Sequence, residues 1–121
     1  MKDLAAFRAV QKALADSSRV RALALLVHGE LCLCELIQVL GLAPSTVSRH
    51  MSELHRAGLI ARRKEGRWQF YRLAGRAAPA AVRAALRSLR DLAKSDDQLR
   101  ADADTLGRVK EMGPEEVSAC Y

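Results

Sequence analysis

Two cysteines one residue apart stand in the run Glu30-Leu31-Cys32-Leu33-Cys34-Glu35-Leu36, and paired thiols are soft donors that select thiophilic ions over magnesium, calcium or manganese. In a regular α-helix a step of two residues turns the side chain through roughly 200°, so the two sulfurs would point apart. In extended backbone the same step puts both on one side. An ion held by Cys32 and Cys34 therefore requires a distorted or unwound first turn in a helix that starts here, which ties capture to backbone geometry. Free cysteines commonly serve as small core hydrophobes. Two of them within three positions, flanked by Glu30 and Glu35, favour a ligand pair. Oxidation of the pair to a strained disulfide is a further chemistry open to it.

The second candidate group is basic. Residues 44 to 76 carry eight Arg and Lys against Glu53 and Glu65, a local +6 that equals the excess of the whole chain, whereas 95 to 121 sum to −4. A field concentrated in this way selects a polyanion. Within it, Ser45, Thr46 and Arg49 lie on the polar side of a stretch whose apolar stripe is Val47, Met51 and Leu54. Short hydroxylic residues at a helix start bind phosphates, and an arginine behind them reaches a guanine edge in the major groove. Arg62, Arg63, Lys64 and Arg67 crowd a hairpin tip, where they meet phosphates or the minor groove.

These residues need elements to hold them. Leu4, Phe7, Val10 and Leu14 recur at helical spacing and predict a helix over 3–15. Ser17 or Ser18 caps a second, which Gly29 closes near His28. A short helix over 33–40 stops at Gly41, and Pro44 opens another that runs to Gly58, so Gly41-Leu42-Ala43 is the short break of a helix-turn-helix. The runs 59–64 and 67–73 flank Glu65-Gly66 and read as a β-hairpin. Residues 78–94 return to helix, and the acidic segment beyond Ser95, broken by Gly113-Pro114, is expected as a partly ordered tail, either a loosely attached helix or partly disordered. The division is thus 1–94 for the folded domain and 95–121 for the tail.

With 121 residues, half of them hydrophobic but only 4% aromatic, the chain fits one mainly α domain with a small hairpin. No apolar run approaches the ~20 residues of a membrane span, and Met1-Lys2-Asp3-Leu4 lacks an export pattern, so a cytoplasmic protein with reduced thiols and no membrane partner is expected. A thiol-disulfide enzyme usually spaces its pair by two residues in a βαβ setting, and neither is present, so no enzymatic activity is expected.

Pro44-Ser45-Thr46-Val47-Ser48-Arg49-His50-Met51, Leu54-His55-Arg56-Ala57-Gly58-Leu59-Ile60, Arg63-Lys64-Glu65-Gly66-Arg67 and Tyr71-Arg72-Leu73 together resemble the ArsR/SmtB winged-helix repressors, over roughly residues 5 to 93. Glu30 to Leu36 looks like the metal-binding motif of the arsenic- and cadmium-responsive members. The resemblance implies a winged helix-turn-helix that dimerises through its first and last helices, binds palindromic operator DNA as a homodimer, and leaves it when the ion binds. It adds Ser48 and His50 to the reading helix. Trivalent arsenic or antimony is the inducer expected for Cys32 and Cys34. The third thiol of arsenic-responsive relatives is replaced by Ile37, which leaves Cys120 as the other candidate ligand. A cadmium-, lead- or thiol-redox-responsive repressor of the same fold is the alternative, although residues 1–31 lack the N-terminal cysteines of the cadmium and lead members. No zinc is expected, because 78–94 offers Asp91 but no histidine.

Overall fold

The computed structural model describes residues 2–112, with side chains from Leu4 onward. Six helices and three short strands follow in the order α1 (Lys2–Ala13), α2 (Ser17–Leu25), a 3-10 turn (Leu26–His28), β1 (Leu31–Cys32), α3 (Leu33–Leu40), α4 (Pro44–Arg56), β2 (Ile60–Glu65), β3 (Trp68–Leu73), α5 (Ala80–Ser95) and α6 (Asp97–Lys110). Every expected helix is present with ends within a few residues; β1 is not anticipated by the sequence, and α6 is anticipated only as a loosely attached helix.

Local chemistry explains the boundaries. Asp16, rather than Ser17 or Ser18, caps α2: its Oδ1 accepts from the N–H groups of Ser18 at 2.8 Å and Arg19 at 3.1 Å. The bond from the Arg19 N–H, foremost, holds the Asp16 carboxyl below its ordinary value. Gly41 ends α3 at φ 67° and returns its N–H to the Ile37 carbonyl at 2.9 Å. Three residues later Pro44 begins α4 with φ already set for a helix. The hairpin turns on Gly66-Arg67, one residue later than expected, with Glu65 opposite Trp68 as its closing pair. Gly66 at φ 60° supplies the left-handed conformation that this turn requires.

The core is built by Leu36 of α3 and by Val47, Met51 and Leu54 of α4, buried as the helical period indicates, and by Leu23 and Leu25 on a turn of α2 that is buried on every side. Leu59 and Leu31 close it against the sheet, whose antiparallel order is β1-β3-β2. The segment expected as an acidic tail starts instead with a helix of the same core. Leu99, Leu106 and Val109 of α6 are buried, and α6 packs on α2, α3 and α5. Its buried Asp102 takes a two-pronged bond from Arg21 of α2, with Nε at 2.8 Å and Nη2 at 2.9 Å. Periodicity alone did not show that this helix packs into the core, because its inward positions include an aspartate. α1 and α5 pack on each other but leave Leu4, Phe7 and Leu92 exposed along one apolar face.

Candidate thiol pair and nucleic-acid interface

Cys32 and Cys34 straddle a strand-to-helix junction. Cys32 is the last residue of β1 and the N-cap of α3, with extended dihedrals of −84° and 161°, while Cys34 is the second residue of the helix. The helix therefore begins after Cys32, and the pair combines one extended and one helical residue. Cys32 is a free thiol and only 4% exposed; Cys34 is wholly buried and disulfide-bonded. Glu35 completes a capping box by accepting the Cys32 N–H at 2.9 Å. Burial first, and the Glu35 carboxylate after it, push the Cys32 thiol up to about 11 from 9.0. Cys120 lies outside the described residues. Among the described residues no cluster of three or more His, Cys, Asp and Glu is placed to hold a metal.

The sheet connects this junction to the wing. Cys32 is directly opposite Phe70 of β3, which is directly opposite Arg63 of β2, so the three share one row and one face of the sheet. The Arg63 guanidinium sits 4.4 Å from the centre of the Phe70 ring. It also donates to both carboxylate oxygens of Glu30, at 2.7 and 3.0 Å, and lies 3.3 Å from Glu65. Trp68 stacks near Phe70 at 6.5 Å between ring centres. Beside this row a cavity of about 330 Å3 is lined by Cys32, Glu35, Trp68, Phe70, Val109 and Met112, among others. The pairing of Glu30 with Arg63 and the place of Phe70 between Cys32 and Arg63 were not foreseen from the sequence, since they depend on a strand of two residues that no periodicity could reveal.

The reading helix meets expectation at one end and departs from it at another. Ser45 and Arg49 are exposed, and Thr46 and Ser48 are half-buried beside them at the start of α4. His50 is different: it is 9% exposed, and its Nδ1 is buried without a hydrogen-bond partner among the described residues. It follows Val47 by three positions and precedes Leu54 by four, which turns it inward and removes it from the exposed set. Arg62, Lys64 and Arg67 are exposed around the hairpin tip, whereas Arg63 is held by Glu30. Sequence spacing thus located the basic wing correctly but could not show that one of its arginines is already neutralised.

Residues 16–62 match the model of the bacterial regulatory protein arsR family. The arsenic resistance transcriptional regulator ArsR1 of Pseudomonas putida is 45% identical over 65 residues, covering 53% of this chain and 51% of that protein. A cadmium resistance transcriptional regulatory protein CadC homolog of Staphylococcus aureus is 38% identical over 65 residues, covering 53% and 54%. The chain spans about half the length of these curated relatives. Among solved structures, the homodimeric winged helix-turn-helix DNA-binding domain of Mb0332 from Mycobacterium bovis, a possible ArsR-family transcriptional regulator, superposes with a TM-score of 0.63 at 30% identity, covering 78% of this chain and 83% of that one. The architecture is that of a winged helix-turn-helix.

Proposed function

Because this chain belongs to the arsR family of bacterial regulatory proteins, whose fold is that of DNA-binding regulators and not of enzymes, we propose that it is a transcriptional repressor that grips operator DNA as a homodimer and releases it when trivalent arsenic or antimony reaches Cys32 and Cys34. The observation that carries this reading is the position of the thiols. They stand at the junction of a two-residue strand that pairs with β3 of the wing and a helix that abuts the reading helix α4.

With Cys34 reduced from the disulfide it holds in this structure, the donor set suits a thiophilic ion: two buried sulfurs, with no assembled oxygen or imidazole cluster nearby among the described residues. When bound, the ion supplies thiolate bonds to both sulfurs. The rest of the response belongs to the chain. Cys32 is both the cap of α3 and the partner of Phe70, so a changed Cys32 disturbs the helix start and the sheet row together. α3 packs on α4, where Ser45, Thr46, Ser48 and Arg49 meet the groove, while the row ends at Arg63 in the wing. Arg62, Lys64 and Arg67 bind phosphates alongside. The exposed Leu4, Phe7 and Leu92 on α1 and α5 provide the apolar face for the second copy.

The test measures binding of this chain to the DNA preceding its own gene, with and without arsenite. A release of about 5- to 150-fold is the usual size of such coupling. Cys32→Ser should bind as tightly as the parent and fail to release, and an arsenite response retained in that variant refutes the assignment. The similarity to a cadmium-resistance regulator favours a second reading, in which cadmium or lead is the effector, and a panel of arsenite, antimonite, cadmium and lead separates the two.

A further inference from the structure

Helix α5 presents three different faces. Val82, Leu86 and Leu89 are buried against the core. Ala81, Ala84, Ala85 and Ser88 line an apolar groove with Phe7 of α1. On the remaining side Arg83, Arg87, Arg90 and Lys94 follow one another at spacings of four, three and four, and the three arginines are exposed. Arg76, in the segment between β3 and α5, extends the stripe, and together with Arg83, Arg87 and Arg90 it lines a concavity of about 490 Å3 whose other walls are Ala74, Gly75 and Leu86. Among the described residues no acidic side chain lines it. Among the same residues these cations make no ion pair, and Arg83 is tethered through Nε to the Ala78 carbonyl at 3.0 Å.

We propose that this stripe is a second DNA-contacting surface, which binds the phosphate backbone of duplex flanking the segment read by α4 and the wing. Like charges stacked at helical neighbours repel one another; exposed Asp91, four residues after Arg87, borders the stripe but pairs with none of these cations among the described residues and does not line the concavity. An anion that repeats along a line relieves the repulsion at every position, and guanidinium forks suit phosphate oxygens. The placement is also continuous with the wing. The concavity starts at Ala74, the residue after β3, whose N–H bonds to the Leu59 carbonyl at the root of the hairpin. The stripe faces away from the apolar groove on the opposite side of α5, so a second copy seated in that groove leaves it open.

The inference rests on the reading that the chain binds duplex DNA, and the experiment separates the two. Affinity of the full chain for a long mixed-sequence duplex is measured against salt for the parent, for Arg83→Gln/Arg87→Gln/Arg90→Gln, and for Arg100→Gln/Arg108→Gln/Lys110→Gln on α6, which removes the same charge elsewhere. The log-log slope should fall by about 0.9 for each phosphate no longer neutralised, hence by roughly 2 to 3 for the α5 triple, and stay at the parent value for the α6 triple. Circular dichroism checks that both triples are folded, and single Arg87→Gln, with a drop of about 0.9, replaces the α5 triple if it is not. An unchanged slope in the α5 variants overturns the proposal, as it would if the stripe met an acidic protein or water alone. Equal drops in both triples overturn it too, in favour of overall charge. Failure of the parent to bind the duplex at any salt instead refutes the DNA-binding reading beneath it.

Discussion

Cys32 should resist thiol chemistry at neutral pH for an electrostatic reason that can be measured apart from its burial. Its thiol is pushed up to about 11 from 9.0, first because a thiolate would lose its water in the core and then because the Glu35 carboxylate stands beside it. Two pH units lower the thiolate population at neutral pH about a hundredfold. Alkylation of the reduced protein by iodoacetamide, followed at the Cys32 peptide by mass spectrometry, should therefore accelerate about tenfold per pH unit and level only near 11. Steric shielding lowers the whole curve without moving the pH at which it levels, so the position of the plateau isolates the charge effect. Glu35→Gln keeps an acceptor for the Cys32 N–H and removes the charge, and the plateau should move downward while staying above 9.0, because burial remains. The folded value exceeds the unfolded one, so the stability linked to the protonated thiol is fully present below pH 9 and is lost as pH rises toward 11. A plateau near 9 in the folded parent would refute the reasoning.

Two further outcomes follow from other contacts. Glu30→Gln removes the carboxylate that holds Arg63, so duplex binding should become more salt-dependent by a slope of about 0.9 if Arg63 gains one phosphate; a slope equal to the parent's shows that Glu65 and Phe70 suffice to retain it. Asp102→Ala breaks the paired bond to Arg21 that fastens α6 to α2, and since the arginine is partly exposed the loss should be about 1 to 2 kcal/mol, read as a lower urea midpoint with unchanged steepness. An unmoved midpoint would contradict the role given to that pair.

The helix-turn-helix and hairpin were legible because their signals are local. Gly41 and Pro44 mark the break, Val47, Met51 and Leu54 show the inward stripe, and the alternating, aromatic run before Leu73 shows the strand. What escaped was set by partners distant in sequence. β1 exists only because Leu31 and Cys32 pair with Tyr71 and Phe70. Asp102 is an inward position of α6 only because Arg21 meets it from 81 residues away. His50 was placed among the DNA-facing residues by resemblance, while the spacing to Val47 and Leu54 already turned it toward the core. The thiol pair does stand at the start of a helix, but whether its residues were helical or extended depended on the same hidden strand.

The last turn of α6 gives the thiol junction a doorkeeper. Val109, Lys110 and Met112 border the cavity that Cys32 lines, and the cysteine itself is 4% exposed. On the proposed reading, an ion that enters by this cavity passes the last turn of α6, and its rate of entry is expected to depend on that turn. Response time and binding strength would then be set by separate parts of the chain: the sulfurs would decide how firmly the proposed guest is kept, and a helix end how soon it is noticed.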